Sequence, residues 1–287
     1  MHIEASITKT SKTINMKKIN LARQSVIIIA ALTFSCNLIS LSSFSQGTRI
    51  WASYFGGTAL EWLYGVSTDP SGNVYLAGYT NSVTGVASGG FQNANGGGDD
   101  AFLVKLNSSG VLQWATYYGG TGTEYGYGVA ADASGNVYLT GRAASTSGIA
   151  SGGFQNTNGG GTDAFLVKFN SGGVRQWATY YGGAGTDYSK DVKIDASGNV
   201  YLTGRTLASG LASGGFQNTI GGGNDAFLVK LNSSGALLWA TYYGGTSSDY
   251  GTAVGTDASG NVYLGGFTLS TSGIASGGFQ NTIGGGG

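Results

Sequence analysis

The feature that most constrains the fold is a unit of about 63 residues that recurs along the chain. Its tryptophan returns at spacings of 63, 63 and 62 residues, at Trp51, Trp114, Trp177 and Trp239. The segment SGNVYL begins at Ser71, Ser134, Ser197 and Ser259. GGFQN recurs at Phe91, Phe154, Phe216 and Phe279, and DAFLVK begins at Asp100, Asp163 and Asp225. Self-similarity at one fixed period indicates a repeat architecture, in which each unit packs against its neighbours.

Each unit predicts four short strands. In the second copy these are strand a at 127–131, strand b at 136–140, strand c at 164–169 and strand d at 174–181. The turn Asp132-Ala133-Ser134-Gly135 joins a to b, because Asp caps a turn and Gly accepts a positive φ. Apolar side chains alternate onto both faces of these strands, so each sheet must lie between neighbours. The alternative is a β-solenoid or a calcium β-roll. A roll repeats the motif G-G-x-G-x-D every nine residues, whereas this chain has a similar segment only once per unit.

We therefore predict an all-β fold, a β-propeller-like array of four-stranded antiparallel blades with about 63 residues per blade. Three blades are full and one is partial. Residues 51–57 form a strand d that precedes any strand a, and this strand is a candidate to complete the last blade. Strand c of that blade would still be missing, so we expect an open or imperfectly closed array.

Residues 1–45 have the layout of a secretory signal. A basic lead at 16–23 precedes a mostly apolar stretch at 26–41 and the small-x-small site Ser43-Phe44-Ser45. We predict cleavage between Ser45 and Gln46, with Met16 as an alternative start. The repeat domain is then 46–287, with units near 51–113, 114–176, 177–238 and a truncated 239–287.

Removal of the signal leaves nine basic and 13 acidic residues, a net charge of −4. It also removes the only histidine, His2, and the only cysteine, Cys36. The remaining chain can build no Ser-His-Asp or Cys-His pair, no His-ligated metal centre and no disulfide. We expect no catalytic residue, no metal site, no cofactor, no nucleic-acid partner and no membrane span after cleavage.

The segments W-A-T-Y-Y-G-G, D-A-S-G-N-V-Y-L-T-G and D-A-F-L-V-K-L recur in fixed order. Together they resemble the bacterial SBBP repeat, a beta-propeller repeat of exported and surface proteins, over residues 51–287. The resemblance implies a propeller in a secreted or surface-attached protein, in a family whose members generally have no assigned enzymatic activity.

The acidic residues form three repeated sets. Asp69, Asp132, Asp195 and Asp257 are predicted to cap the a–b turns, with a calcium loop as the alternative. Asp100, Asp163 and Asp225 open strand c and are expected to be structural. Glu61, Glu124, Asp187 and Asp249 follow the Tyr-Tyr-Gly-Gly segments. The copies differ from each other at Arg142, Arg205 and Lys190-Asp191-Lys193, and we interpret the last cluster as a solvated strand end.

In an up-and-down blade, the connections from strand d to strand a and from strand b to strand c emerge on the same side of the array. All the long connections of this chain are of these two kinds. Binding residues concentrate on loops held by a rigid scaffold, so we expect a partner to engage this side. The ligand-binding hypothesis names Glu61, Glu124, Asp187, Asp249, Phe154, Gln155, Asn156, Phe216, Gln217 and Asn218. The alternative is that the F-Q-N segment anchors its loop through the phenylalanine. If the hypothesis holds, the amides contribute to binding and little to stability.

Two classes of function remain. The first is a non-catalytic exported propeller that acts as a binding, adhesion or structural module at the cell surface, with a protein or glycan partner. The second is an exported hydrolase or lyase that uses carboxylates. Uniform repeats without His or Cys favour the first class, because an enzyme marks one site with residues that break the repeat. Open blade edges also predict self-association.

Overall fold

The computed structural model describes residues 28–31, 39–45 and 48–283, with side chains from 49 onward. Every regular element in these ranges is a β-strand. No helix among the described residues is long and apolar enough to cross a membrane. The first three strands pair antiparallel in the order β1 (Ile28–Ala31), β2 (Ile39–Ser45) and β3 (Thr48–Phe55).

Three four-stranded antiparallel sheets follow, each a meander in chain order. Blade 1 holds β4 (Glu61–Thr68), β5 (Val74–Thr80), β6 (Asp100–Leu106) and β7 (Leu112–Tyr118). Blade 2 holds β8 (Glu124–Ala131), β9 (Val137–Ala143), β10 (Asp163–Phe169) and β11 (Arg175–Tyr181). Blade 3 holds β12 (Tyr188–Ile194), β13 (Val200–Thr206), β14 (Asp225–Leu231) and β15 (Leu237–Tyr243). The partial blade 4 pairs β16 (Asp249–Thr256) with β17 (Val262–Thr268).

The predicted fold class and the four strands of the unit are confirmed. Strands β4, β8, β12 and β16 pack each against the next, so they form the inner edge of an open array. The blades are shifted from the sequence units by about one strand. The tryptophan that opens unit 114–176, for example, lies in β7, which is the outer strand of blade 1.

The a–b turns are held by their aspartates, as predicted. Asp132 Oδ1 accepts hydrogen bonds from the backbone N–H groups of Ser134 and Asn136, both at 2.9 Å. Its Oδ2 accepts a third from Asn136 Nδ2 at 2.8 Å, and Gly135 takes a φ of 76°. The same contacts recur at Asp69, Asp195 and Asp257.

Neighbouring blades share apolar cores and a tryptophan contact. Trp114 in β7 lies flat against Gly173 of the blade 2 turn, where a Cβ would come within 2.9 Å of the indole. Its Nε1 donates to Ser171 O at 3.0 Å, and Trp177 makes the same bond to Ser233 O of blade 3. The middle strands of each full blade are buried on both faces between these contacts, as the sequence predicted.

The N-terminal strand β3 repeats this contact one blade earlier. Trp51 Nε1 donates to Ser108 O of blade 1 at 3.0 Å, so β3 occupies the place of an outer strand before blade 1. It pairs with β2 and not with blade 4, so the expectation that residues 51–57 complete the last blade is wrong. Ser45 of the predicted cleavage site ends β2, and Gln46 lies outside the described residues. Of the predicted signal, 1–27 and 32–38 also lie outside the described residues, and the signal stays a prediction.

Candidate functional site

The four carboxylates that follow the Gly-Gly links lie at the starts of the inner strands and are buried. Glu124 Oε2 accepts from Gly120 N at 2.7 Å, and its Oε1 accepts from Ser145 N at 2.9 Å. Asp249 likewise accepts from Gly245 N at 2.7 Å and from Ser270 Oγ at 2.8 Å. Glu61 is bonded to Thr80 and Ser82, and Asp187 to Gly183. Burial leaves them no surface for a partner, so these four carboxylates are not exposed as the ligand-binding hypothesis requires.

Three of these four carboxylates have a second carboxylate beside them. The pairs are Glu124 with Asp100, Asp187 with Asp163 and Asp249 with Asp225. A Cβ on Gly182 would come within 2.7 Å of an oxygen of both Asp163 and Asp187, so the two carboxylates flank this glycine. Burial raises the pKa of Asp163 to about 6, and the nearby Asp187 adds to the shift. Burial likewise raises the pKa of Asp100 to about 7, with further contributions from Glu124 and Asp99.

These paired carboxylates are sealed from solvent, and one oxygen of Asp100, Asp163 and Asp225 has no hydrogen-bond partner. The other oxygen is used by the loop, as where Asp163 Oδ2 accepts from Gly159 N at 2.8 Å. Within the described residues, no group of three or more His, Cys, Asp or Glu side chains could hold a metal ion. The paired carboxylates therefore act as buried hydrogen-bond acceptors for the backbone N–H groups where the long loops begin and end.

The loop that contains F-Q-N runs along the outer strand of its own blade. In blade 2, Ser151 and Ala178 exchange two backbone hydrogen bonds of 2.9 Å, and Tyr180 N donates to Gln155 O at 2.9 Å. Blades 1 and 3 repeat this pairing through Gln92 and Gln217. The F-Q-N segments thus lie at the outer rim of the array, where they cover the otherwise free edge of the outer strand.

The glutamine side chain anchors this loop. Gln155 Nε2 donates to Asp163 Oδ2 at 3.1 Å and to Gly182 O at 3.0 Å, and its Oε1 accepts from Gly182 N at 3.2 Å. Gln217 bonds to Asp225 and Gly244 in the same way. The expectation that both glutamines are free for a partner is therefore wrong, because their polar atoms are already paired. Asn156 and Asn218 remain exposed.

Phe154 and Phe216 of this segment point outward and do not anchor their loops, whereas Phe91 packs against Tyr118 and Phe169. Phe154 is 50% exposed and Phe216 is 87% exposed. Two open cavities of about 370 and 360 Å³ flank Phe154 at the junction of blades 2 and 3, and we call them the Phe154 groove. The groove is lined by Phe154, Asn156, Thr157, Tyr181, Leu211 and Leu237, together with Gln155 and the glycine and serine residues beside them.

A difference between repeats explains why this junction is open. Between blades 1 and 2, Arg175 lies over Phe91 with its Cζ 4.5 Å from the ring centroid, and Phe169 packs at 6.2 Å. Blade 3 carries the shorter side chains Leu237 and Leu231 at these places. The space that Arg175 and Phe169 fill at the first junction therefore remains free beside Phe154.

The residues that break the repeat gather on the inner strand β12 and on the second strands β9 and β13. Lys190 and Asp191 are half-buried, and Asp191 Oδ2 accepts a hydrogen bond from Val254 N of blade 4 at 2.9 Å. Only Lys193 is exposed, so the solvated strand end that we predicted applies to this residue alone. Arg142 and Arg205 lie between tyrosines of adjacent blades. The other copies carry Tyr79 and Phe267 at this position, and that difference was visible in the sequence. We did not assign these arginines to binding from the sequence.

Comparison with known proteins agrees with this geometry. The SBBP family model, described as a beta-propeller repeat, matches residues 50–84, 113–148 and 176–212. Each match begins on an outer strand (β3, β7 or β11) and continues through the first two strands of the next blade. The chain is also 26% identical, over 244 residues, to an uncharacterized WD repeat-containing protein of Acanthamoeba polyphaga mimivirus. That alignment covers 72% of this chain and 18% of the viral protein, so the chain spans less than a fifth of that relative. Three successive units of this chain match the SBBP model, and through these repeats the chain belongs to the beta-propeller repeat proteins.

Proposed function

We propose that this chain is a non-catalytic binding module that is exported and displayed at the cell surface, where its Phe154 groove contacts a glycan. The observation that carries the proposal is a half-exposed aromatic ring between two open cavities on an otherwise repetitive scaffold. Propeller scaffolds host both enzymes and binding proteins, so the argument rests on the site and not on the fold.

The lining of the groove supports a neutral, polyhydroxylated ligand. An exposed phenylalanine offers its face to the C–H groups of a sugar ring. The Asn156 amide and the Thr157 hydroxyl, both exposed beside it, offer donors and acceptors for sugar hydroxyls. The lining contains no Lys, Arg, Asp or Glu, so nothing in the groove favours a charged ligand or supplies a general acid and base.

Export is supported by the leader at 1–45, with its basic lead, apolar stretch and small-x-small site before Gln46. The carboxylates give the hydrolase alternative little support. The paired acids at the loop bases are sealed from solvent, and the turn aspartates are occupied by backbone amides.

Binding of the labelled protein to a glycan array, with and without Phe154→Ala, tests the proposal. We expect the wild-type protein to select neutral glycans, and the substitution to weaken binding roughly tenfold, as for the loss of an aromatic stacking contact. Phe216→Ala is the matched control, because it removes the same side chain at the equivalent place in blade 3 and should leave binding unchanged. Equal binding by the two variants, or capture of a protein but no glycan, would contradict the assignment.

A further inference from the structure

A second group of unusual residues lies on the inner strands and on the second strands beside them, away from the Phe154 groove at the rim. Each inner strand has a β-bulge at the same place, and the bulged residues are Tyr64, Tyr127, Lys190 and Thr252. Bulges re-aim a side chain and often occur beside functional sites. Tyr64 meets Tyr127 edge to face at 5.1 Å, and Lys190 Nζ lies 3.6 Å from the Tyr127 centroid.

A stack of rings and guanidinium groups runs beside these bulges from blade to blade. Tyr79 stacks on Tyr125 at 4.0 Å, and the Arg142 guanidinium lies 4.2 Å from the Tyr125 centroid. Arg142 also lies 5.0 Å from the ring centroid of Tyr188, and Arg205 lies 4.5 Å from the same centroid. We call Tyr64, Tyr127, Arg142, Tyr188, Lys190 and Arg205 the inner cluster.

The positive charge of the inner cluster is not neutralised by a direct ion pair. Asp99, the carboxylate beside Tyr125, accepts a hydrogen bond from the Tyr125 hydroxyl at 3.0 Å. None of its three cations forms an ion pair with a carboxylate anywhere in the described ranges. The nearby Asp191 accepts instead from the backbone N–H groups of Val192 and Val254. Burial raises the pKa of Tyr127 to about 12, so its hydroxyl stays neutral. Burial also lowers the pKa of Lys190, with Arg205 and Arg142 adding to the shift, so the three cations repel each other.

The cluster retains groups that a ligand can reach. Tyr64 is 52% exposed, and Arg142, Lys190 and Arg205 are all half-buried. Arg142 uses one N–H group inside the cluster, where its Nη1 donates to the Tyr188 hydroxyl at 2.8 Å. A guanidinium has five N–H donors, so the others remain for a ligand. The Nε of Arg205 is buried and has no hydrogen-bond partner among the described residues, so this N–H is unsatisfied inside the fold.

The two kinds of group in the cluster define the ligand. Fixed cations that form no ion pair select oxyanions, and the exposed ring of Tyr64 selects a sugar ring. A nucleic acid needs many phosphates neutralised along its backbone, whereas the chain from Gln46 on has a net charge of −4. We propose that the inner cluster binds an acidic glycan, with its carboxylate or sulfate groups on Arg142, Lys190 and Arg205 and a sugar ring on Tyr64.

Titration calorimetry of the full chain with four polymers tests this inference. The probes are polygalacturonate for carboxylates, dextran sulfate for sulfates, neutral dextran and single-stranded DNA. We expect at least one acidic glycan to bind more tightly than dextran and DNA, with an affinity that falls as salt rises. Selection between the first two probes identifies the anionic group. No binding of either acidic glycan, or tighter binding of DNA, would overturn the inference.

Variants separate the inner cluster from general electrostatic attraction. Lys190→Met keeps an unbranched side chain over Tyr127 but removes the charge, and we expect a roughly tenfold loss of affinity. Lys193→Met is the matched control, because this exposed lysine of the same strand lies outside the cluster. Tyr64→Ala, at the exposed end, is the second variant should Lys190→Met fail to fold, and we expect it also to lose affinity.

Phe154→Ala should leave acidic-glycan binding intact, so a failure of the Phe154 groove is distinguishable from a failure of this site. Equal losses in Lys190→Met and Lys193→Met, or unchanged affinity in both Lys190→Met and Tyr64→Ala, would refute the assignment.

Discussion

At the scale of single residues, the aspartates of this fold have opposite titration behaviour although they repeat with the same period. Burial acts to raise the pKa of Asp195 in its turn, but hydrogen bonds from Asn199, Tyr201 and Ser197 outweigh it, and the pKa lies below its ordinary value. At Asp100 burial wins, and the pKa rises to about 7 because Glu124 and Asp99 are close and one oxygen has no donor. The balance between donors and enclosure therefore decides whether a repeated aspartate is charged.

The raised pKa of Asp100 predicts that stability falls as pH rises. Between its unfolded pKa near 4 and its folded pKa of about 7, the folded state holds a proton that the unfolded state has lost. The free energy of unfolding therefore decreases through this window, by on the order of 4 kcal/mol for Asp100, and levels off above pH 7. Asp100→Asn keeps an oxygen for Gly96 N and cannot ionise. We expect this variant to match the wild type at pH 4 and to be more stable at pH 8.

Urea unfolding at several pH values measures this difference. Asp99→Asn is the control, because it removes a neighbouring charge and leaves the titrating group in place, so it should keep the pH-dependent loss of stability. Parallel profiles for wild type and Asp100→Asn would show that Asp100 does not carry the effect.

At the scale of elements, the long loop of each blade is part of the sheet. It pairs with the outer strand through Ser151 and Gln155, and the Gln155 side chain ties it to Asp163 and the Gly-Gly link. Removing this amide leaves the buried Asp163 carboxylate with one donor fewer and the Gly182 N–H without its partner. An unpaired buried polar group costs about 1–3 kcal/mol.

We therefore predict that Gln155→Ala destabilises the protein by about 1–3 kcal/mol and lowers its melting temperature. The adjacent Asn156 makes one bond, to Gly153 O at 3.2 Å, in an exposed setting, so Asn156→Ala should change stability by less than about 0.5 kcal/mol. Calorimetric melting of the two variants measures the contrast. Equal melting temperatures would mean that the loop is held by its backbone pairing alone.

The strands and turns could be predicted from the sequence because their determinants are local. Alternating apolar residues and the Asp-x-x-Gly turns identify β8 and β9 within a few residues of their observed ends. The position of the F-Q-N loop could not, because its partners are Ala178 and Tyr180 on a strand more than 20 residues away. The burial of Glu124 could not be predicted from the sequence for the same reason. Its donors come from the Gly-Gly link and from Ser145, a residue after strand b that no local pattern marks.

At the scale of the whole molecule, the blades differ in how their edges are covered. In blades 1 to 3 the F-Q-N loop lies along the outer strand, and each second strand pairs on both sides. In blade 4, β17 pairs only with β16 among the described residues, and Tyr263, Phe267 and Leu269 are each more than half exposed. A strand rich in β-branched and aromatic residues with a free edge is a template for pairing with another chain.

The polypeptide from Gln46 to Gly287 should therefore self-associate through β17. We expect light scattering to give a mass above that of one chain, rising with concentration, because edge-to-edge pairing satisfies the free backbone groups and buries the exposed rings. Tyr263→Lys places a charge on this strand and should shift the population toward monomer, since charges on an edge strand oppose such pairing. Val111→Lys adds the same charge at an exposed turn of blade 1 and should leave association unchanged. A concentration-independent monomer would show that this edge is protected. If Tyr263→Lys and Val111→Lys reduce association equally, net charge governs association and the β17 edge does not.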